Sequence, residues 1–573
     1  MNFDLRIVPF SRLGSYIAFS HLEQTNDRKE GLYLRSIHGD RPHPDNLQEA
    51  FKIELLTGGE VVPFKEIASP AVLRLEAEQG FAEICIQNSK LVRVRGNGVG
   101  IRFREKTTMF DNAIVRFDDF WQVSFHRLQV KYMFRPLVGK LVVDAPWTID
   151  QSKYITIDLL PEQDGEIAEC AIEEFLPVWV DKEISGNFDE AIQTNEQEFQ
   201  NWLTRMPEGP DSYAETRELA AYILWSCVVA PEGFLRRPAM LMSKNWMTSL
   251  WSWDNCFNAW ALAYKHPYAA WDQFATLMDH QDESGLFPDS VNDRLKHWTF
   301  CKPPIHGWVL RKMMEANDFI DRDRLQEVYE PLCRWTQWWF DYRDDDKDGI
   351  PQYNHGNDSG WDNSTVFEIP PPIESPDLTA FLILQMEALG DIAEILGNLK
   401  EAQGWRGRAK VVTHLLLEHS WQGDRFVAPQ SGSHELHDSE SLLLFIPLIL
   451  GERLPKPYRE KLVKGLLEEE RFLTEFGLAS ESSRSQLYVS DGYWRGPIWA
   501  PSTLIMVEAL ASAGEKEWAK EISRRFCDMA VRSGMAENYD ALTGEGLRDR
   551  AYTWTSSVFL ILAHEFLRDE SAK

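Results

Sequence analysis

The chain has 573 residues, more than a single hydrophobic core usually serves, so its length predicts at least two domains. Its formal net charge of −29 disfavours nucleic acid and anionic membrane surfaces as partners and suits a neutral small molecule better. The seven cysteines are scattered without a CxxC pair and no apolar run has the length of a signal peptide or a membrane span, so we expect a cytoplasmic protein with reduced thiols.

Residues 1–181 show the alternation of strands. Apolar side chains recur at every second position in short runs, as at 71–87 and 153–161, and glycines at turn-like spacings separate these runs. Because no capped helical stretch interrupts them, the region is predicted to be an antiparallel β-sandwich with a structural role. The GNGVG segment at 96–100 lacks a following helix, which indicates a hairpin rather than a phosphate-binding loop.

A polar, acidic stretch at 182–211 is predicted to link this domain to a second one at 212–573. Ser212 precedes Glu215 by three residues, which is the spacing of a capping box and marks the expected start of the first helix. Twelve segments then show the helical period: 213–229, 250–263, 267–281, 302–318, 322–342, 376–395, 399–420, 438–449, 456–468, 499–513, 515–532 and 552–568.

The connections between these segments alternate between short and long. Those that follow odd-numbered segments are long and hold most of the Trp, Gly and acidic clusters: 230–249, 282–301, 343–375, 421–437, 469–498 and 533–551. In a barrel of antiparallel helices these connections would meet on one rim and line a pocket. Because the segments share no sequence repeat, we predict a closed (α/α)6 toroid barrel rather than an open solenoid.

The long connection after the fifth segment places Asp362 between Trp361 and Asn363, two residues after Gly360. A carboxyl group that packs on an indole in a partly dry cleft has a raised pKa, as a general acid requires. Gly360 would let a substrate approach closely. By residue type alone, the cap of a turn explains Asp362 better than a catalytic role does.

The last long connection offers three carboxylates, Glu537, Asp540 and Glu545. An inverting glycosidase needs a second carboxylate roughly 6.5 to 9.5 Å from the first, so that a water molecule fits between them and the sugar. Spacing does not choose among the three, and each could also be a solvated loop residue.

Aromatic and polar side chains recur along the predicted rim. Pyranose rings stack on indoles through their C–H faces, while their hydroxyls pair with carboxylates and arginine. The candidate sugar contacts are Trp251, Trp253, Asp254, Trp298, Gly360, Trp361, Asn363, Tyr493, Trp494, Arg495, Gly496 and Trp499. By contrast, the spacing of Trp335, Trp338 and Trp339 indicates packing within the helical core.

Four ordered motifs, LWSWDN, SGWDNS, DGYWRGPIW and AENYD, resemble those of glycoside hydrolase families 63 and 37, and family 63 is the closer match. The segment from GLFPDS to KPP (285–304) fits the same pattern, and the resemblance spans most of residues 240–560. It implies that Asp362 is the general acid, that Glu537 is the general base, and that Asp254 binds sugar hydroxyls. An α-glycoside cleaved with inversion would release the β-anomer first.

The long Arg-containing first motif of the family 37 trehalases and the Gln-Trp-Asp opening of their second motif are absent here, which puts trehalose in doubt as the substrate. Short members of family 63 with a single barrel hydrolyse mannosylglycerate and glucosylglycerate, and larger members trim α-glucosides. The resemblance therefore implies hydrolysis of a small α-glucoside or a related oligosaccharide. The sugar, the linkage, the aglycone and the oligomeric state stay open.

Asp344, Asp346 and Asp348 precede Gly349 and resemble the start of a Ca²⁺ loop, although His355 replaces the usual Glu at position twelve. They predict either a structural Ca²⁺ site or a solvated turn, and no cofactor is expected to be required for catalysis. The histidines of HELH at 434–437 lack the HExxH spacing and belong to no recognised set of metal ligands in the sequence, so a surface or helix-entry position is expected.

Two other functions fit the same sequence. A sugar epimerase, isomerase or phosphorylase on the same fold would place paired histidines or a phosphate site in the pocket, whereas a hydrolase would place two carboxylates there. A noncatalytic sugar-binding protein would keep the aromatic rim without an acid and a base. The absence of a GxSxG elbow disfavours acyl hydrolysis.

Overall fold

The structure is a computed structural model that describes residues 1–39, 47–105, 107–163, 166–468 and 470–568. Its N-terminal part is rich in strands and its C-terminal part is mainly helical, as the two kinds of periodicity predict.

The strands of the N-terminal part pair into two antiparallel sheets. In chain order they are β1 (Phe10–Ser11), β2 (Ile17–Leu22), β3 (Gly31–Ser36), β4 (Glu49–Thr57), β5 (Glu60–Val62), β6 (Lys65–Ala68), β7 (Leu73–Glu76), β8 (Phe81–Ile86), β9 (Leu91–Asn97), β10 (Gly100–Glu105), β11 (Asn112–Val115), β12 (Trp121–Phe125), β13 (Val130–Val138), β14 (Lys140–Asp144), β15 (Trp147–Thr148), β16 (Gln151–Ser152), β17 (Ile155–Leu160) and β18 (Ile167–Phe175). One sheet has the order β1-β2-β3-β4-β10-β17-β14, with β5 also paired to β4, and the other has the order β11-β12-β13-β18-β9-β8-β7-β6.

The two sheets share one hydrophobic core. At its centre Phe51 of β4 packs edge-on against Phe125 of β12 at 5.1 Å and Phe134 of β13 at 5.4 Å between ring centroids. Each such ring stabilises the fold by about 1.5–3 kcal/mol through removal of its surface from water. Alternate burial along β17, where Ile155, Ile157 and Leu159 are buried, follows the pattern that the sequence shows.

The GNGVG segment is not a hairpin. It joins β9 to β10, and these strands belong to different sheets, so the chain crosses from one sheet to the other there. Gly98 has a φ of +74°, and a Cβ at this position would lie 2.7 Å from the carbonyl oxygen of Gln79. The glycines therefore serve a tight crossing between backbones, which alternation alone does not distinguish from a hairpin.

The helices in the described part of the chain are α1 (Phe188–Leu203), α2 (Ala214–Cys227), α3 (Asp254–Ala263), α4 (Pro267–Ala275), α5 (His306–Ala316), α6 (Arg322–Tyr342), α7 (Pro376–Ile395), α8 (Leu399–Ser420), the 3₁₀ helix Leu442–Arg453, α9 (Lys456–Leu466), α10 (Ala500–Ala513), α11 (Lys516–Ser533) and α12 (Thr553–Glu565). Short 3₁₀ turns occupy Asp211–Tyr213, Met278–His280, Gly356–Ser359 and Thr365–Phe367. Within the described residues, none of the helices has both the length and the apolar character that a bilayer crossing requires.

Short strand pairs lie in the connections of the helical part: β19 (Val228–Val229), β20 (Ala239–Met240), β21 (Leu250–Trp251), β22 (Ser290–Val291), β23 (Lys296–His297), β24 (Trp421–Gln422), β25 (Arg425–Phe426), β26 (Ile498–Trp499), β27 (Asn538–Tyr539) and β28 (Gly546–Leu547). Two of their sheets, β21-β22-β23 and β26-β27-β28, each join two different long connections.

Six elements of the helical part form a ring in which each contacts the next: α3, α5, α7, the 3₁₀ helix, α10 and α12, which contacts α3 again. The remaining helices pack on this ring, with α2 on α12, α4 on α3, α6 and α8 on α7, α9 on the 3₁₀ helix and α11 on α10. α7, α10 and α12 are buried along most of their length, which explains why their sequences are apolar on all sides.

Three local predictions differ from the structure. The predicted linker at 182–211 contains α1, whose capping box is formed by Asn187 and Glu190 rather than by Ser212 and Glu215. α1 packs on β8, where Asn195 donates to the carbonyl oxygen of Ile86 at 2.8 Å. The eighth segment is a 3₁₀ helix that begins at residue 442 rather than 438. Pro447 inside it lacks a backbone donor, and Gly451, with a φ of 54°, interrupts the helical conformation.

Candidate active site

The long connections of the helical part contact one another. Asn245 of the first donates to Asp549 of the sixth at 2.8 Å, and the backbone N–H of Trp494 in the fifth donates to Asn363 of the third at 2.9 Å. The N-terminal part reaches the same loops, since Arg35 donates to the carbonyl oxygen of Lys244 at 2.8 Å. These contacts bring side chains that are far apart in the sequence into one region.

Asp362 lies between two 3₁₀ turns in the third long connection, which is fastened to the fifth by its neighbour Asn363. The Asn363 side chain donates to the carbonyl oxygen of Gly492 at 3.0 Å, and the Arg495 side chain donates to the carbonyl oxygen of Asn363 at 2.8 Å. Arg495 also pairs with Glu368 at 2.7 Å. Asn363 and Arg495, predicted to contact sugar, therefore hold the two loops together.

A buried lysine stands among three carboxylates at this site. Lys302 pairs with Asp289 at 2.8 Å and donates to the carbonyl oxygen of Asn357 at 2.7 Å. Its positive charge also acts on Asp362 and on Asp254, the first residue of α3. Asp254 is buried, and its Oδ2 has no hydrogen-bond partner within the described chain. Its free oxygen can therefore accept a hydrogen bond from a ligand hydroxyl.

The environment of this cluster raises the pKa of two of its carboxyl groups, those of Asp362 and Asp254. Burial raises the pKa of Asp362, against the opposing effect of Lys302. Burial likewise raises the pKa of Asp254 to about 8, and the neighbouring charges of Asp289 and Asp362 add to the rise. For Lys302, burial lowers the pKa, but the surrounding carboxylates outweigh it and the ammonium group stays charged. A proton can thus be held here near neutral pH.

Glu537 immediately precedes β27 and is 1% exposed. Its Oε1 accepts a hydrogen bond from the Tyr493 hydroxyl at 3.2 Å, whereas its Oε2 has no partner among the described residues. Burial raises the pKa of Glu537 to about 8; Asp549 adds to the rise, while Arg548 and Tyr493 oppose it. The free oxygen and the adjustable charge suit a proton-transferring group.

Tyr493 joins the two candidate carboxylates. Burial and the negative charges of Glu537 and Asp362 raise the pKa of the Tyr493 phenol. Its backbone φ is +63°, and that of Arg548, whose guanidinium lies 4.9 Å from the Tyr493 ring centroid, is +58°. Two side-chain-bearing residues in this left-handed region at one place are typical of a functional site that is held by its surroundings.

Asp540 and Glu545, the alternatives to Glu537, are engaged differently. Asp540 accepts backbone N–H groups from Leu542 at 2.7 Å and Thr543 at 3.0 Å, so it closes a turn. Glu545 is exposed to solvent. Among these three carboxylates, Glu537 has the dry environment that proton transfer requires.

The predicted aromatic rim is in large part an aromatic core. Trp253, Trp361, Trp494 and Trp499 are buried, and the rings of Trp494 and Trp499 stack 4.0 Å apart at 5°. Indoles have large apolar surfaces, so the burial of these rings against one another is more favourable than their exposure at the rim. Trp251 and Tyr493 are partly exposed and Trp298 is 39% exposed, which leaves these rings open to a sugar. Trp335, Trp338 and Trp339 pack together as predicted.

The two glycines predicted to contact substrate face protein instead. A Cβ on Gly360, whose φ is +73°, would lie 2.4 Å from the indole of Trp253. A Cβ on Gly496 would lie 2.4 Å from the carbonyl oxygen of Val489. The space expected for a substrate at Gly360 is therefore filled by Trp253.

Sequence reasoning missed Asp289, Lys302, Arg548, Asp549 and Tyr552 at this site. Asp289 lies in GLFPDS and Lys302 begins KPP, so their position in a segment that resembles the family was the available signal. The charges of Glu537 and Asp254 both act on the buried Tyr552 phenol, which places it between the two halves of the site. Nothing in the local sequence marks Tyr552 or Asp549.

Asp344, Asp346 and Asp348 lie together, each with an oxygen within 4.8 Å of the others. His434 is near them, with its Nε2 3.0 Å from Asp346 Oδ2. The structure therefore corrects the expectation that His434 stands apart from other possible metal ligands.

Known proteins match the region that holds this site. A family model described as the mannosylglycerate hydrolase MGH1-like glycoside hydrolase domain matches residues 247–555. The chain belongs to this family. It is a glycoside hydrolase, and the resemblance to family 63 is confirmed.

Individual relatives are distant in sequence. A glucosylglycerate hydrolase of Mycolicibacterium hassiacum is 24% identical over 54% of this chain and 91% of its own length. The crystal structure of a family 63 mannosylglycerate hydrolase from Thermus thermophilus with Tris and D-glycerate is 19% identical, covers 60% of this chain and 98% of that one, and has a TM-score of 0.53. A bacterial glucoamylase complexed with acarbose is 10% identical, covers 99% of this chain and 96% of its own, and has a TM-score of 0.63, so it shares the fold of both parts.

Proposed function

We propose that the chain is an inverting glycoside hydrolase that cleaves the α-glycosidic bond of a small α-glucoside or a related oligosaccharide. In this proposal residues 212–573 form an (α/α)6 toroid, in agreement with the ring of six contacting elements, and residues 1–181 form a supporting β-sandwich. The observation that carries the proposal is the pair of carboxyl groups, Asp362 and Glu537, whose charges both act on Tyr493.

Asp362 is proposed as the general acid. Burial raises its pKa, so it can arrive protonated and donate to the oxygen of the leaving group. Lys302 limits this rise and stabilises the carboxylate that forms once the proton has left. The same lysine therefore helps Asp362 in both states of the reaction.

Glu537 is proposed as the general base, which removes a proton from the water that attacks from the opposite face of the sugar. Its Oε2 is free to accept that proton, while Oε1 is held by Tyr493. Burial holds its pKa near 8, so the ionised form depends on Arg548 and Tyr493, which both favour it. Inversion requires roughly 6.5 to 9.5 Å between the carboxyl groups for the water to fit.

The partly exposed Trp251, Trp298 and Tyr493 are proposed to contact the sugar, with Asp254 as the acceptor for a sugar hydroxyl. The names of two relatives point to glycosylglycerates as the substrate class. We therefore propose glucosylglycerate and mannosylglycerate as the first compounds to assay, followed by small α-glucosides that include trehalose.

The test is hydrolysis of this panel by the full chain and by matched variants. Asp362→Asn and Glu537→Gln should each lower kcat by about 10²- to 10⁴-fold, because each removes one proton-transfer group at nearly constant shape. Asp540→Asn, in the same loop as Glu537 but engaged in a turn, should keep nearly full activity. Normal turnover by either of the first two variants would overturn the assignment of that residue.

A further inference from the structure

Four side chains from separate segments converge outside the proposed active site. Asp348 follows α6, Glu374 precedes α7, His419 lies in the last turn of α8, and His434 lies in the next long connection. One ligand atom of each lies within 4.8 Å of those of the others. We propose that these four residues bind a divalent transition metal ion of the zinc class, independently of the proposed glycosidase function.

The distances fit a four-coordinate ion. His419 Nδ1 lies 3.4 Å from Asp348 Oδ2, and His434 Nε2 lies 3.8 Å from Asp348 Oδ2 and 3.9 Å from Glu374 Oε2. Ligands of a tetrahedral zinc ion at the usual bond lengths are about 3.4 Å apart. Small movements of these side chains would therefore complete the coordination.

The buried environment of the Glu374 carboxylate points to a bound cation. Its side chain is 0% exposed, and neither carboxylate oxygen has a hydrogen-bond partner in the described chain. The nearest group that can carry a positive charge is the imidazole of His419, whose Nε2 lies 2.7 Å from Glu374 Oε2 without the angles of a hydrogen bond. A buried carboxylate is costly unless it is hydrogen-bonded and its charge is compensated, and a metal ion bound by Glu374 and the two histidines would compensate it.

The ligand types favour a transition metal over Ca²⁺. Two imidazole nitrogens and two carboxylates are typical of zinc-class ions, whereas Ca²⁺ takes six to eight oxygen ligands. His434 has a φ of +52°, which is a strained backbone conformation for a residue with a side chain, and its Nε2 lies 3.0 Å from Asp346, 3.8 Å from Asp348 and 3.9 Å from Glu374. Asp344 belongs only to the neighbouring group of three aspartates, so it distinguishes the two arrangements.

A metal ion here would fasten the connection that carries Asp362. Asp348 and Glu374 stand near the two ends of the 343–375 connection, and the ion would tie both to α8 and to the loop of His434. The site is thus a structural clamp, and metal binding should raise the temperature of unfolding.

The test is calorimetric titration of the chelator-treated full chain with Zn²⁺ and, separately, with Ca²⁺, together with Co²⁺ absorption spectroscopy. We expect one equivalent of Zn²⁺ to bind more tightly than Ca²⁺, and Co²⁺ to show the visible absorption of a four-coordinate site. His419→Gln and His434→Gln should each weaken Zn²⁺ binding by at least about tenfold. His434 is 48% exposed, so its variant should keep the fold.

Two control variants make the outcome decisive. His414→Gln removes a 72% exposed histidine from the same helix as His419, and Asp344→Asn alters only the aspartate group; both should bind Zn²⁺ normally. The proposal is overturned if no stoichiometric Zn²⁺ binding occurs, or if the two histidine variants bind Zn²⁺ as the wild type does. Tighter binding of Ca²⁺ that Asp344→Asn weakens would also overturn it. None of these outcomes depends on glycoside hydrolysis.

Discussion

Replacement of Tyr493 by phenylalanine removes the hydroxyl that donates to Glu537 at 3.2 Å and leaves the ring in place. Hydrogen bonds to charged groups contribute about 1.5–3 kcal/mol, and this one is long for a bond to a carboxylate, so we take the lower end, about 1.5 kcal/mol. That energy corresponds to about one pKa unit. The pKa of Glu537 should therefore rise by about one unit, because the lost bond favoured the ionised form.

The assay is the pH dependence of kcat/KM for the wild type and for Tyr493→Phe. The active form has Glu537 ionised and Asp362 protonated, so the profile is a bell with one bend at the pKa of each group, and the variant should move the bend that reports Glu537, near pH 8, up by about one unit. The other bend, which we assign to Asp362, should stay in place. Tyr213→Phe removes a comparable hydrogen bond to Asp528 of α11 and should leave both bends unchanged. A bend near pH 8 that does not move in Tyr493→Phe would refute the assignment.

Two further predictions concern packing and buried charge. Gly360→Ala places a Cβ 2.4 Å from the Trp253 ring at a φ of +73° and should lower the free energy of unfolding by about 2–4 kcal/mol in denaturant titration. Gly514→Ala, with a φ of +96° and open space around it, should cost only the backbone strain of about 1 kcal/mol. Equal losses of stability in the two variants would contradict the clash with Trp253. The folded chain holds the Asp254 proton up to a pH of about 8, while the unfolded chain releases it near its ordinary pKa, so the stability of the wild type falls as the pH rises between these values. Asp254→Asn should therefore unfold at the same temperature as the wild type at pH about 4 and at a higher temperature at pH about 8. Its KM should also be raised. If the difference in unfolding temperature between variant and wild type does not change over this pH range, Asp254 is not a buried group that holds a proton.

Helix boundaries in the C-terminal part could be predicted well because periodicity and end signals agree. α6, α7 and α8 match the predicted segments residue for residue, and Pro376 and Gly514 mark helix ends in the structure as well. The prediction for the segment around Leu442 was wrong because an all-apolar run does not distinguish a 3₁₀ helix from an α-helix. α1 was missed because its polar, acidic surface resembles a linker, although the Asn187–Glu190 pair was a readable cap.

The site residues that lie in recognisable motifs could be predicted from the sequence. Those whose role depends on contacts between distant segments could not. Asp362, Tyr493 and Glu537 follow from motif resemblance, and the structure brings their loops together. Lys302 was missed because a lysine beside two prolines is ordinary in sequence, and its importance comes from Asp289 in its own segment and from Asp254 and Asp362 on distant ones. The burial of Trp494 and Trp499 depends on their mutual stacking, which residue type does not reveal.

The most direct test of the account is the configuration of the sugar when it is first released. Hydrolysis of the best α-glycoside from the panel, followed by NMR within the time before mutarotation, should show the β-anomer, because water that Glu537 activates attacks the face opposite the group that Asp362 protonates. Release of the α-anomer would mean retention of configuration, and would contradict the proposed roles of the two carboxyl groups.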